Sequence, residues 1–462
     1  MLAELGWSPR ELSDHINQAL GESRVAPTAP YHWRDHGGIP RPPVAQLTAA
    51  LLSHHLRRRV SSSHLWGRTF PEQVNVVTAD HGFTNPVKED TTLQIISEWG
   101  ASGPDRRTIL AISGAALVDL ATGPTAWRRA PAVRAAARGP TSRGPTGRGP
   151  LLDQIEATVP LLQRLDDAEG GGRHLSYVET HVQAIATALG ENRSSSTTER
   201  GLLTALADVG QLAAWMAFDA GLHGRAQRHY LAALRVAQQA GYQSMTAHIL
   251  GDLAFQAATR GHAGDAVTLG EGARDAAAHC AASVRASVHS RLAYGYAMAG
   301  AMSDFDRACH DGLDALSSSS GPRDPAWMYF LTAEHLHAQA GYALIHAALT
   351  SRAHQPPDPA ILRRGQRLLN LGAHDYPIGD PSERRALFEG AWLAVGSAHL
   401  GDHETACHHG QTAIRRLEHV QSRRASAVLD QLADRLRKAR RNPYARDFLP
   451  QLETALHAHQ AA

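Results

Sequence analysis

Lysine is almost missing from this chain. Only Lys88 and Lys438 occur among 46 basic residues in a sequence of 462; the rest are arginine. Base composition in GC-rich coding produces the same bias, so arginine abundance by itself carries no functional weight. Cysteine is nearly as scarce. Cys280, Cys309 and Cys407 are too few and too scattered for a disulfide framework; Cys280 and Cys309 read as small buried hydrophobes. Aromatic residues make up 6% against 43% hydrophobic overall, with alanine supplying much of the difference. That balance disfavours sheets and favours closely packed helices. The net charge is +2, so no global field draws nucleic acid, and any DNA contact must come from a local patch. Long apolar runs are also missing: the longest, around Ile109–Ala121, contains Asp119 and is too short to cross a bilayer. With no signal peptide at its start, the chain is expected to be cytoplasmic and free of membrane contact. No phosphate-binding loop, dinucleotide fingerprint or serine-nucleophile elbow occurs, which points away from an enzyme and from a cofactor.

What is present falls into three parts. Residues 1–68 read as one compact helical unit. Ser8 is placed to cap a helix with Pro9 at its first position and Glu11 completing a capping box. Leu12, Ile16 and Leu20 then mark one helix face, and Gly21 ends it. Thr28 opens a second short helix through Trp33, closed by Gly37-Gly38. Pro42-Pro43 starts a third, with Val44, Leu47, Leu51 and Leu52 on its buried side. Residues 69–150 show poor periodicity and read as a connector. It ends in a Gly/Pro/Arg stretch from Arg138 to Pro150, and residues 121–152 hold six arginines and no acid. A solvated linker and an arm lying on DNA phosphates both fit that composition.

From Leu151 to Ala462 helix follows helix, with a repeating register. Gly221, Gly261 and Gly300 lie 40 and 39 residues apart, each closing an apolar helix. Five residues after each come Ala226, Ala266 and Phe305; twelve after come Ala233, Ala273 and Gly312; seven before sit Ala214, Ala254 and Ala293. Gly401 carries a fourth copy with Ala394, Ala406 and Ala413, whereas Gly341 breaks register with Glu334 and His346 at the small positions. Small residues let antiparallel helices approach closely, and glycine permits the tight turn between them. In this register the chain resembles the tetratricopeptide family, with about six residues added to that family's period of about 34. The expected fold is all-α: a small helix-turn-helix head, then an α-solenoid of tetratricopeptide-like hairpins over residues 151–462.

Segment 8–66 resembles the repressor-like, xenobiotic-response-element type helix-turn-helix heads of actinobacterial regulators. The residues carrying the likeness are Gly6-Trp7-Ser8-Pro9, Leu12, Trp33, Gly38, Ile39-Pro40-Arg41-Pro42 and Leu65-Trp66. The resemblance implies that Thr28, Ala29, Tyr31 and His32 begin the recognition helix and face bases. It places Ser8, Arg10, Arg34 and Arg41 against phosphates. In tetratricopeptide superhelices the first helix of each repeat lines a concave groove. Carried over, its ninth position gives Trp215, Phe255 and Tyr294, and its second gives Asp208, His248 and Ser287. Such an aromatic row suits an extended peptide or an apolar small molecule, and ordinary packing between repeats would produce it too. Together the resemblances imply a transcriptional regulator that binds double-stranded DNA. A peptide, protein or small-molecule effector would sit in the groove, and a second copy of the chain would complete a homodimer. The alternative is a protein-interaction adaptor with a degenerate head. His399, His403, Cys407 and His408 share spacing with zinc ligands, but the other repeats carry no such set; exposed histidines are expected and no metal is assigned.

Overall fold

The computed structural model describes residues 1–20, 25–41, 44–56, 58, 60–67, 75–80, 83, 92–96, 107–122, 150–191, 196–318, 323–350, 356–373 and 377–461. Gly21, Pro42, Pro43, the side chain of Leu20 and the Gly/Pro/Arg stretch up to Gly149 lie outside the described residues. The described chain is all-helical apart from one short parallel ladder.

The head contains α1 (Leu2–Leu5), α2 (Pro9–Leu20), α3 (Ala29–His36), α4 (Val44–Leu56) and α5 (Ser62–Trp66). The capping box expected at Ser8 forms reciprocally: Glu11 N donates to Ser8 Oγ at 3.2 Å, and Ser8 N donates to Glu11 Oε2 at 2.6 Å. Two orphan amides are thereby satisfied at the start of α2. Thr28 stands at the N-cap of α3 but makes no side-chain cap bond, and Gly37 closes that helix in the left-handed region. Leu12, Ile16, Val25, Val44, Leu47 and Leu51 form the head's core, and Trp33 packs edge-on against Trp66 at 5.8 Å.

The segment expected as a connector contributes to both cores. Strands β1 (Asn75–Thr78) and β2 (Arg107–Leu110) pair in parallel, with Val77 opposite Ile109, and α6 (Ala115–Thr122) follows. Successive strand residues point to opposite sides. Leu110 accordingly sits in the head's core, while Ile109 belongs to the large core of the remaining chain, as do Ile112 and Leu117. Gln227 clamps the strand's exit with both amide atoms, accepting from Ile112 N at 2.7 Å and donating to Ile112 O at 2.9 Å. Gly224 makes that approach possible, because a Cβ there would overlap the Ile109 carbonyl. Short apolar runs with no periodicity hid this packing in the sequence.

The remaining helices begin with α7 (Pro150–Glu169) and α8 (Gly171–Glu191). Six helix pairs follow: α9 (Ser196–Asp219) with α10 (His223–Ala240), α11 (Gln243–Thr259) with α12 (Ala263–Ala277), α13 (Ala282–Ala299) with α14 (Met302–Ser317), α15 (Ala333–Thr350) with α16 (Pro359–Gly372), α17 (Glu383–Leu400) with α18 (His403–Leu417), and α19 (Arg423–Lys438) with α20 (Pro443–Ala461). Gly221, Gly261, Gly300 and Gly401 all adopt positive φ at the turns. The small residues at the repeating offsets, including Ala214, Ala226, Ala254, Ala266 and Ala406, are buried where paired helices meet. Gly341 differs. It lies within α15 at a crossing with Gly365 of α16, where a Cβ would meet backbone of Leu369 and Gly365. Its register failed because it serves helix approach rather than a turn.

Each pair's first helix touches the next pair's first helix, and the last one, α19, returns to the first, α9; α7 packs against α17. The row of helices therefore closes. Gly170-Gly171-Gly172 makes the seam: Gln421 N donates to Glu169 O at 2.7 Å and Gly172 N donates to Gln421 O at 3.2 Å. Helix α9, from Thr198, is long and apolar enough by composition to cross a membrane, yet it is largely buried against its neighbours.

A Cβ at Gly171 would overlap the Met216 carbonyl, whereas one at Gly264 meets nothing within 4 Å. Gly171→Ala should therefore lower stability by about 1–3 kcal/mol through overpacking. Gly264→Ala should be neutral or stabilising by about 0.5–1 kcal/mol through helix propensity. Urea unfolding of the two variants checks this, and equal stability would show that the seam is not tightly packed.

Candidate functional site

In the head, α3 presents Tyr31, His32, Arg34 and His36 to solvent, Tyr31 being 39% exposed. Thr28, Arg10 and Arg41 are also exposed, Ser8 is partly so, and Ala29 packs partly onto the head's core. Arg34 is committed nearer home than phosphate contact requires. Its guanidinium bonds Asp35 twice, at 2.6 and 3.0 Å, and lies 5.4 Å from the Tyr31 ring. His32 lies 5.2 Å from His36. Ser8 Oγ is occupied as an acceptor by the cap it forms.

The other site is internal. The first helices of the pairs carry a run of rings: Trp215 to Phe255 at 6.0 Å, Phe255 to Tyr294 at 5.3 Å, Tyr294 to Tyr342 at 5.8 Å, and Tyr342 to Phe388 at 5.2 Å. The three aromatics expected at one register do form a stripe. Phe255, 1% exposed, and Tyr294, 3% exposed, lie within the packed layer, whereas Trp215 is partly open. Trp215 and His248 wall a cavity of about 310 Å³ with Gln211, Trp327, Tyr342 and Phe388. Ser287 is buried away from it, accepting from Arg291 Nε at 3.4 Å. Asp208 stands at the end of a short relay in which Trp327 donates its indole N–H to the Tyr242 hydroxyl at 2.7 Å, and Tyr242 hydrogen-bonds the carboxylate.

Sequence reasoning missed the arginines of this cavity, because a charged residue on a helix normally reads as a solvated face. Arg291 pairs with Asp252 at 2.9 Å while lying 5.7 Å from the Trp215 ring and 5.4 Å from Phe255. Arg384 reaches Asp166 at 3.1 Å and Asp167 at 2.8 Å while lying 5.5 Å from the Trp215 ring. Arg424 pairs with Asp219 at 3.2 Å and sits 4.0 Å above Phe388. Each guanidinium thus has a carboxylate at its edge and a ring at its face, an arrangement that Arg supports and Lys does not.

Burial sets the protonation of the remaining groups. It pushes the Asp166 carboxyl up to about 7, with Arg384 opposing. It pushes Asp208 up to about 7 with no cation to oppose it. His248 is pushed down to about 4 by burial against the pull of Asp252, so it is neutral near pH 7. His403 opens α18 and Cys407 is buried along it; among the described residues no three potential metal ligands gather anywhere.

Two outcomes follow. Phe255→Ala should cost about 3–5 kcal/mol by leaving a core void, and Trp215→Ala only about 1–2 kcal/mol at a partly open wall. Equal losses in thermal melts would assign the whole stripe to packing. Asp208 holds its proton more tightly folded than unfolded, so the folded state binds extra proton between about pH 4 and 7. Stability from this group declines as pH rises through that window and is level above it. Asp208→Asn should flatten that part of the stability–pH curve; an unchanged slope in urea midpoints from pH 4 to 8 would overturn it. No known family model, curated protein or solved structure matches this chain, so the reading of the site rests on its own geometry.

Proposed function

We propose that this chain is a cytoplasmic DNA-binding transcriptional regulator, active as a homodimer, whose tetratricopeptide-like α-solenoid closes on itself and holds an effector in its central cavity. The observation that carries the reading is α3: a short helix on a compact head, its Tyr31 and His32 exposed and Arg10, Arg34 and Arg41 solvent-accessible on the same unit. A helix of that kind enters the major groove with its N-terminal residues on base edges, while flanking basic groups fix its register on phosphate. The cavity supports the effector half of the reading. Its volume is at the lower end of small-molecule pockets. Its arginines are already paired with Asp252, Asp166, Asp167, Asp219 and Glu389. An effector without strong charge, either a small molecule or a short peptide segment, suits it best. No bond-making step is assigned to any residue.

A second reading, an interaction adaptor with a degenerate head, is favoured by the Arg34–Asp35 pair and by the head's modest excess of basic residues, seven to five over residues 1–60. Gel shift against genomic fragments separates the two. In the regulator reading, replacing Tyr31 and His32 together with alanine removes sequence preference. Arg41→Ala weakens all sequences alike and lowers the salt slope by about one. Arg34→Ala has a smaller effect than Arg41→Ala, since Asp35 already holds that guanidinium. Wild-type protein showing no preference at moderate salt would hand the reading to the adaptor.

A further inference from the structure

A second cavity, about 520 Å³, shares Phe388 and Arg424 with the first. Asn17 of α2 lines it together with Gly221 and His223 at the end of α9, and Asp430 and Gln431 of α19 line it too. His15, also on α2, interacts with the charge of Arg260, the residue that follows α11. The head therefore rests on the α9 and α11 ends of the ring, next to α19.

The first helices of the pairs run side by side but do not end at one height. The rings of Trp215, Phe255, Tyr294, Tyr342 and Phe388 touch in turn and mark one level. Arg424, 4.0 Å from Phe388 and 5.2 Å from Trp215, closes that level. From there α9 runs on only to Asp219 and α11 to Thr259, whereas α17 continues to Leu400 and α19 to Lys438. At about 1.5 Å per residue, the first two stop roughly 6 Å past the level and the last two roughly 18–21 Å past it. Arg435 Nε donates to Ala398 O at 3.2 Å, so α17 and α19 stay together to their ends. The head sits over the low side of the ring, and the end of α19 stands beside it as a wall.

That wall ends in cations. Arg435, Arg437 and Lys438 fall in the last turn of α19, and Arg440 and Arg441 follow on the way to α20. The carboxylates nearby are taken. Asp434 and Glu453 hold Arg437, Asp402 caps α18 by accepting from Thr405 N, and Glu404 is bonded by Tyr444. Lys438, Arg440 and Arg441 are exposed and have no carboxylate partner among the described residues. Arg440 donates to the Arg437 carbonyl at 3.3 Å. Burial, with Arg435 and Lys438 adding to it, pushes His399 down to about 4, as a locally positive potential requires. Complementing the helix dipole accounts for cations within α19. It does not account for Arg440 and Arg441, which lie past its end.

We propose that Lys438, Arg440 and Arg441 form a second DNA contact, binding the phosphate backbone of the duplex that α3 reads. The proposal rests on the regulator reading of the head. A duplex docked on the head runs past it, and the wall beside the head meets it with charge. These side chains donate and do not accept, and phosphate oxygen is the partner that suits them.

The test uses the full-length chain in gel shifts over a range of salt, with a preferred genomic fragment and an unrelated duplex of equal length. Lys438→Gln/Arg440→Gln/Arg441→Gln should lower the salt slope by about two to three. Both duplexes should weaken alike, and the unchanged preference between them reports an intact head. Arg274→Gln/Arg363→Gln/Arg367→Gln removes the same charge from exposed positions on α12 and α16, and should keep the wild-type slope. A wild-type slope in the first variant, or an equal drop in both variants, would overturn the second contact and leave the regulator reading standing. If wild type binds duplexes without preference and the first variant loses that binding, the regulator reading fails and the phosphate contact holds. No duplex binding by wild type at any salt would overturn both.

Discussion

The contact on which the rest depends is the buried cluster around Asp219. Its carboxylate is fully buried and takes the Ser422 hydroxyl at 2.9 Å, Arg424 Nε at 3.2 Å and Gly171 N at 3.4 Å. A buried carboxylate survives only when paired and hydrogen-bonded, and removing one partner leaves an uncompensated charge in a low-dielectric interior. Asp219 ends α9, Gly171 begins α8, and Ser422 and Arg424 sit at the start of α19. One anion therefore joins the two ends of the helical row. A row of helical hairpins held only by neighbour contacts is open at both ends, and its inner face is a groove. Tied at this point, the inner face becomes two cavities sharing Phe388 and Arg424.

The same closure explains why the interior tolerates so many guanidinium groups. A ring of helices with aromatic residues at one register turns flat π-faces toward its centre, where a bare cation would be expensive. Arg424 lies over Phe388 and within 5.2–5.8 Å of Trp215, Phe218 and Phe255, while its edge meets Asp219. A planar, weakly hydrated cation can satisfy both at once; an ammonium would keep its hydration and lose the stacking. The near-absence of lysine, set aside as base composition, is thus compatible with an interior built on arginine.

What was legible in the sequence was what repeats. Glycine closing an apolar helix, with small residues five and twelve positions on, is a pattern set by the geometry of two touching helices, and Ala226, Ala266 and Ala406 are buried as that geometry requires. The register also placed Trp215, Phe255 and Tyr294 in one stripe. It could not say which of them faces a cavity, because that depends on neighbours such as Tyr342 and Phe388 at other offsets. Gly341 broke the register because it is a helix crossing and not a turn, and glycine serves both purposes. Asp219 and Arg424 are 205 residues apart, and nothing local marks either as a partner. The triple glycine at 170–172 was the one signal of the seam: three residues without side chains where two chain segments touch through backbone.

The relation of head to body turns on a single alternation. Ile109 and Leu110 are adjacent in β2, and the pleat sends one into each core. Neither core can lose the strand without exposing apolar surface, and Gln227 fixes the strand's exit to α10 through both atoms of its amide. The head is therefore built onto the body at β2. Its α2 touches that strand, and Asn17 on the same helix reaches the second cavity. A free swing of the head would break the ladder and both hydrophobic contacts together.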